Sequence, residues 1–246
     1  MIGLSRFSFS LAFVSNFEAD MPSPSPKTVR RFAMFFAVIL GLQATWILAA
    51  ELTRPTIPFF PNNAGSAKMA ESKAASAAAA ARLGWPRGDL WTAAAVAANA
   101  AQLANTEAGS VAAGTNKSAL DVAQTAAMLS PSDARNWVLL AMNQQAAGNH
   151  AKALALLKMS YYTSPYSDDL FPLRIQLAAR AVHLSDDELV SYLEYELGVV
   201  VRHKPALKRA IASSYANGSP AGRQFLDRAL AKLDPAYLAQ LKAAKP

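Results

Sequence analysis

An uncharged apolar stretch of 19 residues, Phe32–Ala50, constrains this chain more than any other feature of its sequence. As a helix with a rise of about 1.5 Å per residue, the stretch extends roughly 28 Å, close to the thickness of a bilayer's hydrocarbon core. Lys27, Arg30 and Arg31 precede it, and Glu51 follows it. Positive residues stay on the cytoplasmic side, so we expect a single transmembrane helix with the N-terminus in the cytoplasm and the rest of the chain outside.

Two other interpretations of this stretch stay open, a cleaved signal peptide and a buried helix of a soluble protein. A signal peptide has a shorter apolar core that ends in a small-x-small cleavage site. Cleavage after Ala50 would place Leu48 at the −3 position, and cleavage after Ala49 would place Ile47 there. Neither residue is small, which favours an anchor that is not cleaved.

Composition divides the chain into four segments. Residues 1–31 are expected to be a disordered cytoplasmic N-terminus, because the first 20 have no clear helical period, and residues 32–50 are the expected transmembrane helix. Residues 51–87 combine a proline-rich linker, RPTIPFFPNNAGS, with an alanine-rich helix. The linker is expected to hold the following domain off the membrane surface. We expect that domain at residues 88–246, where the continuous helical periodicity predicts an all-α fold.

Capping residues indicate where two of the helices begin. Asp89 precedes the run WTAAAVAANAA and is the expected N-cap of that helix. Ser185 is followed three residues later by Glu188, which is the spacing of a capping box.

A periodicity of 34 residues marks the centre of the helical domain. A unit counted from Ala134 has informative residues at positions 4, 7, 8, 15, 20, 24, 27 and 32, which are Trp137, Leu140, Ala141, Gly148, Ala153, Leu157, Ser160 and Pro165. The preceding unit supplies its second half only, with Gly114, Ala119, Ala123, Ala126 and Pro131. This pattern resembles the tetratricopeptide repeat (TPR). The resemblance implies TPR-like antiparallel helix pairs in a short right-handed superhelix, preceded by one transmembrane helix.

The first helices of TPR pairs line a concave groove, and the resemblance places four residues of this chain there: Arg135, Val138, Met142 and Gln145. A mainly apolar groove with one guanidinium suits a helix or an extended peptide of a partner protein. An alternative stays open, in which these side chains pack against the alanine-rich helices that precede them.

The net charge of +7 is concentrated at the C-terminus. Residues 202–246 hold nine basic and two acidic side chains. The candidate anion-binding residues are Arg202, Lys204, Lys208, Arg209, Arg223 and Arg228. Such a surface can attract anionic lipid or an acidic polymer, or can simply be a solvated helix face. Neither a glycine-rich loop nor an aromatic stacking platform accompanies it, so nucleic acid is not an expected partner.

Catalytic chemistry is not indicated. The chain has no cysteine, and its three histidines stand far apart. The acidic pairs Asp168-Asp169 and Asp186-Asp187 each precede a helix, where they favour its N-terminus. We therefore expect no enzyme, no metal and no cofactor. The tyrosines of SYYTSPY, residues 160–166, could stack on a sugar or a peptide, or could be core residues with wetted hydroxyls.

These expectations combine into a single-pass protein of a bacterial inner membrane with a periplasmic helical domain. Its expected role is a non-catalytic scaffold or adaptor that binds protein partners in the cell envelope. The anchor together with NWVLLA, GNHAKALALL and SYYTSPYSDDL is similar to accessory proteins of surface-polysaccharide biosynthesis and export. The alternative role is binding of anionic lipid or acidic polymer through the basic C-terminal helices. A third, regulation of a glycan transfer, lacks a catalytic site in the sequence.

Overall fold

The computed structural model describes residues 25–56, 64–100 and 117–243, and all of the regular structure in these ranges is helical. The chain forms two compact units, Met1–Thr45 and Trp46–Pro246. The all-α prediction is confirmed for the described residues.

Twelve α-helices are described, with one 3₁₀ turn, Pro205–Leu207, between α9 and α10. They are α1 Pro26–Thr53, α2 Ala64–Ser72, α3 Ala74–Leu83, α4 Gly88–Ala98, α5 Lys117–Leu129, α6 Ala134–Ala146, α7 His150–Thr163, α8 Phe171–Ala179, α9 Asp187–His203, α10 Lys208–Ala216, α11 Pro220–Leu233 and α12 Pro235–Ala243.

Helix α1 contains the apolar stretch and is the one described helix that is long and apolar enough to cross a membrane. The most apolar part of α1 is not buried against the rest of the protein. Large side chains such as Phe32, Phe35 and Leu42 are exposed along it. Hydrophobic side chains this exposed over several turns are favourable only in an apolar surrounding.

The second unit begins inside α1, at Trp46, ahead of the proline-rich segment. Ala50 is completely buried in a small core with alanines of α3 and α4 and with Leu90. Two ion pairs reinforce this packing, Arg87–Glu51 at 2.8 Å and Arg54–Asp89 at 3.1 Å. Much of the proline-rich linker, residues 57–63, lies outside the described residues.

Alanine lines the next layer of the second unit. Ala95 and Val96 of α4 meet Ala123 and Ala126 of α5, and Leu139 and Leu140 of α6 complete this cluster. Alanine has the highest helix propensity and the smallest side chain that still buries apolar surface. Helices that meet through alanine can therefore lie close together without large hydrophobic residues.

Helices α6 and α7 form a hairpin whose turn is made by residues 147–149. Gly148 has a φ of +79°, a left-handed conformation that glycine adopts without steric cost. Ala141 and Ala153 are buried, and Ala141 shares a core cluster with Leu157 of α7. The larger core begins here and continues through α8, α9 and α11, with Phe171, Leu193, Phe225 and other aliphatic side chains.

Both predicted N-caps are wrong by one or two residues. The N-cap of α4 is Arg87, and Asp89 instead lies in the first turn, where its carboxylate pairs with Arg87 at 2.7 Å. The N-cap of α9 is Asp186, whose Oδ1 accepts the amides of Glu188 and Leu189 at 3.1 Å each. A carboxylate accepts two amides better than the Ser185 hydroxyl, so the helix begins one residue later.

Candidate partner-binding surface

The residues predicted to line an open groove are not exposed together on α6. Val138 is completely buried and Met142 is 6% exposed, and both belong to the larger core with Leu157 and Tyr161 of α7. Gln145 donates to the Leu177 carbonyl at 3.0 Å. This corrects the groove interpretation, because helices that follow α6 in the chain occupy the face that a partner would need.

The packing alternative is also corrected in part. The α6 side chains that meet the alanine-rich helices are Leu139 and Leu140, the neighbours of the predicted residue Val138. A helix surrounded on two sides buries adjacent positions against different neighbours. The 34-residue pattern alone does not distinguish these two sides.

Arg135, the fourth groove residue, is partly exposed and lines an open cleft of about 830 Å³. Its guanidinium is bound to Asp133, with Nη2 2.6 Å from Oδ2. The same cleft is lined by Arg54, Asp89 and Glu51, which pair among themselves. Because these charges compensate one another, we place no ligand in the cleft.

The six predicted anion-binding residues differ in their availability. Lys204 pairs with Asp168 at 2.7 Å and Lys208 with Asp234 at 3.4 Å. Arg223 donates to the Gly218 carbonyl at 2.8 Å. The remaining three, Arg202, Arg209 and Arg228, are exposed. Two of the six predicted cations are therefore paired with a carboxylate, and Arg202, like Arg223, donates to a backbone carbonyl.

The tyrosines of SYYTSPY divide between core and surface. Tyr161 is completely buried, whereas Tyr162 is 50% exposed and Tyr166 is 36% exposed. On α9, Tyr192 lies against both Tyr161 and Tyr162, and Tyr195 is 65% exposed. We call the four residues Tyr162, Tyr166, Tyr192 and Tyr195 the tyrosine surface.

Carboxylates orient the hydroxyls of this surface. Tyr162 donates to Glu188 at 2.9 Å and Tyr192 donates to the other oxygen of the same carboxylate at 3.3 Å. Lys158 lies 2.7 Å from Glu188 and 2.8 Å from Asp186. The Lys158 hydrogen bond is the main reason why the pKa of Glu188 is lowered, so this carboxylate is charged at neutral pH. The rings are thereby fixed at their polar ends while part of their faces meets solvent.

Tyr166 continues the surface on the loop between α7 and α8. Its hydroxyl donates to Asp168, and this bond is the main cause that raises the pKa of Tyr166 to about 12. The amide of Ser167, next to Tyr166, donates to Glu196 at 3.5 Å, so this loop meets the part of α9 that carries Tyr195. Lys204 lowers the pKa of Asp168 through a 2.7 Å hydrogen bond. At neutral pH the surface thus presents neutral phenols beside charged carboxylates.

A buried ion pair supports this surface from below. Arg174 of α8 and Glu196 of α9 are both almost completely buried, with Nη1 3.1 Å from Oε1. Tyr161 donates to the other oxygen of Glu196 at 2.6 Å. The guanidinium also donates to the carbonyls of Ser160 at 2.6 Å and Ser164 at 2.7 Å, which fastens the end of α7.

The electrostatics of this pair follow from its burial. Loss of hydration raises the pKa of Glu196, although the Arg174 charge opposes the shift. Burial also raises the pKa of Tyr161 well above its ordinary value. The Arg174 guanidinium lies 4.2 Å from the centre of the Tyr161 ring, and Tyr192 stacks on that ring at 5.5 Å. The cluster therefore holds α7, α8, α9 and the tyrosine surface in one arrangement.

Sequence reasoning missed Tyr192 and Tyr195. The signal for them is their spacing from Glu188, because residues four and seven positions along a helix return to the same face. That pattern identifies a stripe on α9 but does not say that α7 lies beside it. The tertiary packing brings the stripe next to Tyr162.

The described residues contain no group of three or more acidic, histidine or cysteine side chains that could hold a metal ion. Comparison of the chain with protein-family models, with curated proteins and with solved structures gives no match.

Proposed function

We propose that this protein is a non-catalytic scaffold that a single helix holds at a membrane. The observation that carries the proposal is the dual environment of α1. Its apolar part is exposed, while Ala50, three residues before its end, is buried in the core of the helical unit. An exposed apolar helix is favourable in lipid, and a helix end built into a core transmits that position to the domain.

The localisation proposed from the sequence is a bacterial inner membrane, with the helical domain in the periplasm. Lys27, Arg30 and Arg31 support this orientation because they stand before the apolar stretch. The absence of cysteine agrees with an oxidising compartment. Accessibility of residues on either side of α1 to a membrane-impermeant reagent tests the orientation.

A TPR-like arrangement of helix pairs is the architecture that we propose for the scaffold. Its support lies in α6 and α7, where the small residues Ala141 and Ala153 are buried and Gly148 lies in the turn. In the preceding unit, Ala119, Ala123 and Ala126 are buried in the same way. Gly114 lies outside the described residues.

We place partner binding on the tyrosine surface, because α6 offers no free groove. Exposed phenol rings suit a peptide segment that contains arginine, because a guanidinium can stack on the face of a ring. Tyrosine also contributes large contact area with few rotatable bonds, so it loses little entropy on binding. Components of polysaccharide synthesis or export, suggested by the sequence resemblance, are the partners to examine first.

The experiment introduces a photocrosslinking amino acid at Tyr195 in living cells and identifies the captured protein. A parallel variant carries the crosslinker at Met128, which is 73% exposed on α5, away from the tyrosine surface in sequence. We expect position 195 to capture a specific partner that position 128 does not. The double variant Tyr162→Ser/Tyr195→Ser should lose co-purification of that partner, while Met128→Ser retains it. Equal co-purification by all of these forms would overturn the proposed surface.

A second candidate function is binding of an acidic polymer or anionic lipid, which Arg202, Arg209 and Arg228 favour because they are exposed. Such binding depends on charge and should weaken strongly as salt is raised from about 0.05 to 0.5 M. The triple variant Arg202→Gln/Arg209→Gln/Arg228→Gln should abolish it and leave protein capture at position 195 intact. Retention of polymer binding by this variant would remove the candidate.

A further inference from the structure

The turn between α3 and α4 is built against the end of α1. Trp46 donates its indole N–H to the carbonyl of Leu83. Gly84 follows, and a side chain there would collide with Leu90 and lie 3.1 Å from the Cβ of Ala50. Arg87 closes the contact through its 2.8 Å ion pair with Glu51. Residues 83–87 are therefore in direct contact with residues 46–51, all within the second unit.

The outer side of this junction is apolar and exposed. Trp85 is 54% exposed and Leu83 is 39% exposed. Leu48 and Leu52, near the end of α1, also expose more than half of their surface. Arg82 is exposed one residue before Leu83. Trp85 makes a perpendicular ring contact with Trp91, with 6.2 Å between the ring centres.

The position of Trp46 indicates what covers this patch. Trp46 lies near the C-terminal end of the 19-residue uncharged stretch, and tryptophan concentrates where hydrocarbon meets headgroups. A segment hydrogen-bonded to Trp46 and packed on Ala50 must lie at nearly the same depth. Trp85 and Leu83 have the amphipathic and apolar character of that zone, and Arg82 can extend its guanidinium to lipid phosphates.

We propose that the turn Arg82–Trp85 docks in the headgroup zone of the bilayer that α1 crosses, and that the helical domain is thereby seated on the membrane. This inference rests on the proposed anchoring by α1. It replaces the expectation that the proline-rich linker suspends the domain above the surface. The occupant of the patch is lipid, and a second copy or another protein is an outcome that the test distinguishes.

Because the chain has no cysteine, a single one can report depth directly. Full-length Trp85→Cys and Leu83→Cys are labelled with an environment-sensitive fluorophore and reconstituted in vesicles of phosphatidylcholine and phosphatidylglycerol. Tyr195→Cys serves as the aqueous control and Leu40→Cys as the control within the apolar helix. Nitroxide lipids labelled near the headgroup act as the quencher for positions 83, 85 and 195, and lipids labelled near the end of the acyl chain act as the quencher for position 40. Circular dichroism confirms that each variant is folded.

We expect labels at positions 83 and 85 to show blue-shifted emission and at least about twofold quenching, while the label at 195 shows neither. The same emission and quenching at 85 as at 195, with the label at 40 quenched, would overturn the docked turn and leave the anchor intact. An unquenched label at 40 would instead overturn the anchoring itself. A blue shift at 85 that disappears when the protein is diluted in excess lipid would show that a second copy covers the patch.

Discussion

At the scale of single residues, the buried pair of Arg174 and Glu196 distinguishes this protein from an ordinary helical stack. Removing charge from water is costly, and the attraction between the two ions compensates only when their remaining polar atoms are also satisfied. Here Tyr161 and the carbonyls of Ser160 and Ser164 supply those partners. The pair therefore fixes one arrangement of α7, α8 and α9 more than it adds stability.

Replacing one member of this pair should be severe. Arg174→Met leaves the Glu196 carboxylate buried without its cation, and we expect the free energy of unfolding to fall by about 3–5 kcal/mol. Adding Glu196→Gln should recover much of the loss, because the amide is uncharged and still accepts from Tyr161. Thermal unfolding of the full chain in detergent, followed by circular dichroism, measures both effects.

The pH dependence of the single variant provides a second readout. Without Arg174, burial alone acts on Glu196 and raises its folded pKa above its unfolded value. A carboxyl whose pKa is raised in the folded state stabilises that state at low pH. This stabilisation is lost as the pH rises through the folded pKa. The free energy of unfolding of Arg174→Met should therefore be closer to that of the wild type at about pH 5 than at about pH 8. A deficit that is the same at both pH values would contradict this account.

At the scale of helices, short-range chemistry determines where each element begins. Asp186 caps α9 through two backbone amides and also binds Lys158 at 2.8 Å. The Lys158 hydrogen bond and the Leu189 amide lower the pKa of Asp186. The cap and the ion pair tie the start of α9 to the middle of α7, below the tyrosine surface.

Asp186→Ala should lower the free energy of unfolding by about 1 kcal/mol at neutral pH, as loss of an N-cap does. Ser185→Ala, one residue earlier, should change it by less than about 0.5 kcal/mol. Because the folded pKa of Asp186 is lowered, its contribution is complete above about pH 4 and is lost as pH falls further. Melting curves of the wild type, Asp186→Ala and Ser185→Ala at neutral and acidic pH test this. A larger loss of stability for Ser185→Ala than for Asp186→Ala would show that Ser185 is the N-cap.

The α6–α7 contact provides a test of close helix packing. Ala153 is buried, and the repeat pattern predicts that it lies at this contact, whereas Ala151 on the same helix is exposed. Ala153→Leu or Ala141→Leu should overpack the hairpin and cost roughly 1–3 kcal/mol. Ala151→Leu adds the same atoms in solvent and should leave the melting temperature nearly unchanged. An equal melting temperature for Ala151→Leu and Ala153→Leu would mean that the two helices do not meet at Ala153.

At the scale of the whole molecule, the notable feature is that the end of α1 belongs to the core of the helical unit. Trp46, Ala50 and Glu51 contact α3, α4 or the turn between them through a hydrogen bond, apolar packing and an ion pair. This junction fixes residues 46–51 to the helical unit by direct contacts, which a flexible linker would not do.

Gly84→Ala tests this junction, because the added methyl group meets Leu90 and Ala50. We expect a loss of about 1–3 kcal/mol in stability. Gly41→Ala is the matched control, since a methyl group there has nothing within 4 Å. The measurement is the rate of proteolysis near residue 53 in vesicles, which should rise for Gly84→Ala only. An unchanged rate would show that the turn does not secure the end of α1.

Much of the architecture is predictable from local pattern. The apolar stretch, the alanine-rich helices, the small residues of the α6–α7 hairpin and the turn at Gly148 follow from composition, propensity and spacing. The cap at Asp186 was missed because the neighbouring Ser185 competes for the same backbone amides, and the cap at Arg87 was missed because its side chain makes no capping hydrogen bond. Local sequence does not decide that competition.

Local sequence accounts for the all-α character and for one helix with the length and apolarity to cross a bilayer, because these properties depend on near neighbours and on summed hydrophobicity. It does not give every boundary, since α1 begins at Pro26, inside the segment expected to be disordered, and α2 begins at Ala64, inside the expected linker. Only the tertiary structure decided which faces meet. Val138 and Met142 are apolar and would suit a groove or a core equally well. They are core residues because α7 and α8 pack against them. Likewise, packing of distant segments brings Tyr192 against Tyr162 and Leu83 beside Trp46, and such contacts leave little trace in the local pattern of either segment.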